Sequence, residues 1–392
     1  MPHPFRTELT LENRLYFNHG GQGLLPESTI EAITTAYREI QHRGPFSMEA
    51  EQWIAGHMTH TRKQLADALG CSPNTITFTE STSHSMNIPL WGLDWQAGDG
   101  LMVSDCEHPG AFLPAHAVAQ RYDLEIQKFD LLRGQHPVLA VQQALKSNTK
   151  LILLSHVLWN TGQVLPIKEI TEVCRKQGVL VLWDGAQSSG VIPAQFEEWG
   201  VDFYGSTCHK WWMGPAGIGY LYIRPETLEQ IRPTYVGWRS ASAYVEPIPW
   251  YQNGQRFEVA TLPSELFFGL AQSLKLHQSF GSGEERYARI LELAQQLWVG
   301  LRDIPGLETI SAEAPTSGLV CWRAHALTSP QDLTRVVQVL EAQKVYVRTI
   351  PKPLCFRASI HYFNEPWEIE KLLEILKAIG SDYSTTMTHS CN

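Results

Sequence analysis

The chain has little charge for its size, with 18% Asp, Glu, Lys and Arg, and no dense run of Lys or Arg. With 31 basic against 40 acidic residues and a formal charge of −9, it lacks the electrostatic footprint of a phosphate-backbone binder, so nucleic acid is not expected as a partner. No apolar run approaches a membrane span, and Met1–Thr10 lacks the apolar core of a secretory signal. A cytoplasmic protein with no membrane partner is the expectation. Its seven cysteines are scattered and odd in number, with no Cys-x-x-Cys pair, which argues for reduced thiols over a disulfide framework or a zinc site. Internal repeats, low-complexity tracts and long polar linkers are also missing.

What is present is 43% hydrophobic residues over 392 positions, enough for a large core and long enough for two domains. From Asn74 to Arg224, β-rich runs alternate with longer amphipathic ones. The runs are Ile76–Thr79, Leu101–Ser104, Leu151–Ser155, Val179–Trp183, Val201–Tyr204 and Ile218–Ile223. This alternation predicts an α/β fold with a mostly parallel sheet sandwiched by helices. Leu151–Ser155, apolar until its last residue, reads as a strand buried on both faces. Helical periodicity over Glu284–Asp303 and Gln331–Lys344, a β-rich Val345–Arg348, and a helix over Trp367–Ile379 opened by Pro366 predict a smaller α+β domain. Ser381–Asn392 reads as a frayed polar tail.

The chemistry centres on His209-Lys210, between a strand and the glycine-rich turn Gly214-Pro-Ala-Gly217, and on Asp184, which ends Val179–Trp183 and opens Asp184-Gly-Ala-Gln187. The carboxyl end of a parallel strand is where open α/β sheets bind ligands, although an aspartate there also suits a helix cap. A lysine 26 residues beyond such an aspartate has one specific use: pyridoxal phosphate needs a lysine for its Schiff base and an acid for its ring nitrogen. Thr79-Glu-Ser-Thr-Ser-His-Ser85, between a strand and a helix start, offers hydroxyls and free N–H groups for a phosphate. Glu107-His108, Asn160 and Gln187 fall in order at successive strand ends.

That order resembles the aminotransferase class V branch of the fold-type I pyridoxal-phosphate enzymes, over about Tyr16 to Ile379. This group contains cysteine desulfurases, selenocysteine lyases and cystine carbon–sulfur lyases, and the last are the nearest in character. The resemblance implies pyridoxal 5'-phosphate as cofactor, a large domain over 16–265 with a seven-stranded type of sheet, and a small domain over 266–392 joined by residues 1–15. It implies Lys210 as the Schiff-base residue and proton carrier, Asp184 on the ring nitrogen, and His108 stacked on the ring. Gln187 and Asn160 would contact the phenolic oxygen, and Thr82, Ser83, Thr207 and His209 the phosphate. Glu258-Val-Ala-Thr-Leu-Pro263 is similar to the segment that lends a threonine, here Thr261, to a neighbouring subunit's phosphate, which implies a homodimer.

An amino acid's carboxylate is held best by a guanidinium. By the same resemblance Arg357 takes that role, Arg348 is a second substrate arginine, and Asn18-His-Gly-Gly21 is a loop whose small Gly20 lets backbone approach the substrate, with Asn160 nearby.

One departure is specific. Desulfurases carry a thiolate on a mobile loop after the strand corresponding to Val345–Arg348, whereas here Arg348 and Arg357 are nine residues apart and the loop is essentially absent. Cys355 shares its strand face with Arg357, but Pro351 and Pro353 restrict its reach. Without that nucleophile, β-elimination from L-cystine, and less well from L-cysteine, is the expected reaction, giving cysteine persulfide or sulfide, pyruvate and ammonia. A sulfur acceptor protein and iron–sulfur cluster assembly would lie downstream. The alternatives are a cysteine desulfurase or selenocysteine lyase, an amino-acid epimerase or kynureninase-like hydrolase, and a non-catalytic cofactor-binding protein. Trp211, Trp212, Tyr235, Trp238, Trp250 and Tyr251 could shape a pocket for a long disulfide, or serve only as packing.

Overall fold

The computed structural model describes residues 4–11, 13–132 and 136–387. After β1 (Leu15–Tyr16), helices α1 (Glu27–Arg43) and α2 (Met48–Leu69) lead to the main sheet. There follow β2 (Ile76–Thr79), α3 (Thr82–Gly92), β3 (Gly100–Ser104), α4 (Pro109–Tyr122), β4 (Glu125–Phe129), α5 (Pro137–Ala144), β5 (Thr149–Ser155), α6 (Ile167–Lys176), β6 (Leu180–Asp184), α7 (Phe196–Trp199), β7 (Phe203–Thr207) and β8 (Gly219–Ile223). Next are α8 (Ser264–Ser279), α9 (Gly283–Arg302), β9 (Leu307–Thr309), β10 (Leu319–Ala324), α10 (Pro330–Ala342), β11 (Val345–Tyr346), β12 (Arg348–Pro351), β13 (Leu354–Ser359) and α11 (Pro366–Met387).

The seven-stranded sheet has the order β2-β8-β7-β6-β5-β3-β4. All its pairings are parallel except those of β8 with β2 and β7. Its middle strands are buried along their length, with Leu151 to Leu154 inaccessible to solvent, as two helical layers require. One layer packs on Ile152, Leu154 and Trp183, the other on Leu151, Leu153 and Leu182. β4, Glu-Ile-Gln-Lys-Phe, is an edge strand whose half-exposed residues hide the apolar alternation, so the β-rich runs did not include it.

The C-terminal part carries an antiparallel four-stranded sheet, β12-β13-β10-β9, backed by α9, α10 and α11. α9 and α10 each open on a capping box, Ser282 with Glu285 and Ser329 with Asp332. Leu15 and Phe17 are buried in this C-terminal core, with β1 parallel to β11. The expected boundary at 265 falls at the start of α8, whose Phe267, Leu270 and Leu274 are buried with the large sheet's core. α11 continues to Met387, where a frayed tail from Ser381 was expected; residues 388–392, including Cys391, lie outside the described residues. Among the described residues no helix is long and apolar enough to cross a membrane, and no cluster of three His, Cys, Asp or Glu is placed to hold a metal.

Candidate active site

A cavity of about 560 Å³ opens at the carboxyl ends of β6 and β7, where the C-terminal sheet meets the large one. Strand register builds it. Ser155 and Asp184 stand abreast at the ends of β5 and β6, Asp184 beside Gly205 in the middle of β7, and the end of β7 and the turn after it carry Thr207, His209 and Lys210 into the cavity. From the opposite side, β12 and β13 bring Arg348 and Arg357. Gly20 completes the wall, because a Cβ there would lie 2.8 Å from both Gln187 Oε1 and Ser359 Oγ.

Eleven residues singled out in the sequence thus share one cavity: Gly20, Thr82, Ser83, His108, Asp184, Gln187, Thr207, His209, Lys210, Arg348 and Arg357. Two do not line it. Asn160 follows the lining residue Trp159 but is buried, its amide donating to the Lys352 carbonyl at 2.8 Å. Thr261 is exposed on a separate apolar cavity with Phe46, Met58 and Trp238. The aromatic residues do not line this cavity either: Trp211 and Trp212 are buried beside Lys210, while the exposed Tyr235 and Trp238 line other cavities. Tyr16 and Trp159 line the cavity without having been singled out. Trp159 stands edge-on to His108 with ring centroids 5.1 Å apart, and its carbonyl accepts from Arg357 at 2.8 Å. Its place one residue before Asn160 was the available signal.

Burial governs the charges. It pushes the Lys210 amine down to about 8, opposed by the Asp184 charge and assisted by Arg357 and Arg348. Burial raises the Asp184 carboxyl, whose Oδ1 accepts from the Ala186 N–H at 2.9 Å. His108 falls to about 4 through burial and then the three cations Lys210, Arg357 and Arg348, leaving a neutral ring as one wall of the cavity. His209 also falls to about 4, through burial and Lys210, and its Nδ1 pairs with Thr207 Oγ1 at 2.7 Å. Beneath them Glu107, held by the hydroxyls of Ser104 and Ser155, is raised to about 7 by burial.

Three features fit a ring cofactor bearing a phosphate. The start of α3 presents its free N–H groups with the Thr82 hydroxyl, which is buried and has no partner in the protein. Asp184 offers a desolvated carboxylate, and Lys210 offers an amine whose neutral form is accessible near neutral pH. Gln187 is already partly committed, donating to Gly20 O at 2.8 Å and accepting from Trp211 Nε1 at 3.0 Å, which leaves one amide hydrogen for a ligand.

The profile of the aminotransferase class V family matches residues 15–372. The chain belongs to this family. Class V enzymes depend on pyridoxal phosphate, and pyridoxal 5'-phosphate is the cofactor of this fold-type I enzyme. Two solved structures of C-DES are similar over nearly the whole chain. One, a lysine-to-alanine mutant with glycine linked covalently to the cofactor, is 42% identical with a TM-score of 0.91, covering 95% of this chain and 99% of that one. The other, the cystine C–S lyase C-DES with its product cysteine persulfide, is 43% identical with a TM-score of 0.90, covering 94% and 98%. Among class V relatives, isopenicillin N epimerase of Streptomyces clavuligerus is 26% identical over 93% of this chain and 94% of its own length. A probable cysteine desulfurase of Methanothermobacter thermautotrophicus is 27% identical, over 94% and 96%.

Proposed function

We propose that the protein is a cystine carbon–sulfur lyase, cleaving L-cystine by β-elimination to cysteine persulfide, pyruvate and ammonia, and L-cysteine less well. One observation carries this reading over a desulfurase. β12 and β13 form a tight hairpin, with Pro351 paired to Leu354, where a desulfurase needs a loop bearing a thiolate. Cys355 is fully buried against Cys321, its thiol is pushed far up, and it does not line the cavity. The likeness to C-DES supports the same choice.

Bound in the cavity, the cofactor supplies an electron sink for the pair left on the substrate's α-carbon. The remaining steps belong to the chain. Arg357 holds the α-carboxylate, and Arg348 at the exposed edge of β12 suits the second carboxylate, which cystine has and cysteine lacks. Lys210 Nζ in its neutral form takes the α-proton. The Cβ–S bond then breaks and persulfide leaves with the bonding pair, favoured over hydrosulfide because its conjugate acid is stronger. Water releases the three-carbon remainder as pyruvate and ammonia. Asp184 would keep the ring nitrogen protonated, His108 would cover the ring face, and Thr82, Ser83, Thr207 and His209 would hold the phosphate, with Gln187 on the phenolic oxygen.

The same reading includes a cytoplasmic homodimer in which Thr261 reaches the neighbouring subunit's phosphate, and a sulfur acceptor protein supplying iron–sulfur cluster assembly. It is tested by incubating the loaded enzyme with L-cystine and assaying pyruvate, ammonia and persulfide in equal amounts. Alanine in place of pyruvate would make the protein a desulfurase or selenocysteine lyase. A racemised amino acid without ammonia would make it an epimerase.

A further inference from the structure

Lys210 is followed by two fully buried or nearly buried tryptophans, Trp211 and Trp212. Their peptide carbonyls lie in the core, where each must find a donor. Each finds a histidine from a distant part of the chain. His361 Nε2 lies 3.0 Å from Trp211 O, and His277 Nε2 lies 2.9 Å from Trp212 O, to which the Ser273 hydroxyl also donates. The other ring nitrogens fix the tautomers. His361 Nδ1 accepts from the Tyr362 N–H at 3.1 Å, so its hydrogen is on Nε2. His277 Nδ1, 3.1 Å from the Tyr362 hydroxyl, is likewise the acceptor.

His361 differs from His277 in what else it touches. It lies four residues beyond Arg357, just past the end of β13. Its ring stacks on Trp211 at 5.8 Å and an interplanar angle of 24°, and meets His19 of the Asn18–Gly21 loop edge-on at 5.3 Å. Trp211 in turn donates to Gln187, which donates to Gly20. A single fully buried imidazole therefore joins the peptide after Lys210, the strand of Arg357, and the loop that approaches the substrate. Burial holds the ring neutral, so the link is a directed hydrogen bond rather than a charge.

We propose that His361 is a positioning residue for Lys210, donating from Nε2 to the Trp211 carbonyl so that the amine is registered against the strand bearing the carboxylate-binding Arg357. A proton carrier displaced by about 1 Å loses on the order of a hundredfold in rate, so this registration matters without any contact between His361 and substrate. The inference rests on Lys210 holding the cofactor, and not on cystine as the substrate.

The test uses the holoenzyme and the variants H361Q, H361F and H361N. Gln carries a donor near the position of the imidazole Nε2, Phe keeps the stacking ring without a donor, and Asn is too short to reach. Cofactor content, the pH midpoint of the lysine-bound cofactor's visible absorption without substrate, and kcat and KM are measured for each. H361F should hold cofactor yet shift the midpoint by about half a pH unit or more and lose about tenfold or more in kcat, with KM within about threefold. H361Q should restore both. If H361F does not fold, H361N takes its place with the same expectations. The proposal is overturned if the donor-less variant titrates and turns over like wild type, or if H361Q is as impaired as the donor-less one. Because the titration needs no substrate, this failure is separable from failure to release pyruvate from cystine.

Discussion

Arg348 and Arg357 stand directly opposite each other on adjacent strands β12 and β13, and both face the cavity. Like charges in that register are unfavourable for the hairpin, and burial, assisted by the Arg348 charge, lowers the Arg357 guanidinium to about 10. The pair is therefore suited to an anionic substrate. Replacing Arg357 with Gln should lower kcat/KM about a hundredfold for cystine and cysteine alike, since a charged hydrogen-bonded contact is worth about 1.5–3 kcal/mol. Replacing Arg348 with Gln should lower kcat/KM about tenfold for cystine and spare cysteine. Steady-state kinetics on both substrates check the difference.

The Lys210 amine must be neutral to capture the cofactor's aldehyde. Its lowered value of about 8 predicts that the rate of loading the cofactor-free protein rises with pH and is half-maximal near 8. The Asp184 charge pulls the amine upward, so D184N should move this midpoint to lower pH. Rapid-mixing absorbance across pH measures both.

Glu107 makes a stability prediction with a definite sign. Its carboxyl is raised to about 7 in the folded protein from 4.5, so the proton is bound more tightly by the folded state. The stabilisation is complete below pH 4.5 and is lost as pH rises through 7, amounting to at most about 3 kcal/mol. Thermal unfolding of the cofactor-free protein should show wild type losing stability between pH 5 and 8 relative to E107Q, which keeps a neutral side chain throughout.

Cys355 should be dispensable. C355A ought to release pyruvate from cystine within about threefold of wild type, because a buried, un-ionised thiol outside the cavity has no part in the chemistry. A loss of sulfur release from cysteine, measured in parallel, would restore the desulfurase reading.

Much of this site was legible because its chemistry sits at the ends of buried strands. Apolar runs announced β5 and β6, and residues that end such runs, Asp184 above all, have few structural reasons to be there. Lys210 gained meaning only through its pairing with that aspartate. Other features depend on tertiary geometry that spacing cannot convey. Strand alternation correctly placed Cys355 on the face of Arg357, but its burial against Cys321 comes from the pairing of β10 with β13. Asn160 follows a lining residue in sequence, yet its amide is drawn to Lys352 in the hairpin. His361 lies 151 residues beyond Lys210, and nothing local to either residue tells of the bond to the Trp211 carbonyl.

The most direct test of the central claim is chemical trapping. Protein loaded with pyridoxal phosphate is reduced with borohydride, digested, and mapped by mass spectrometry. The account predicts the reduced cofactor on the peptide containing Lys210, and no label in K210A. Label on another lysine, or none on wild type that has been shown to bind the cofactor, would contradict it.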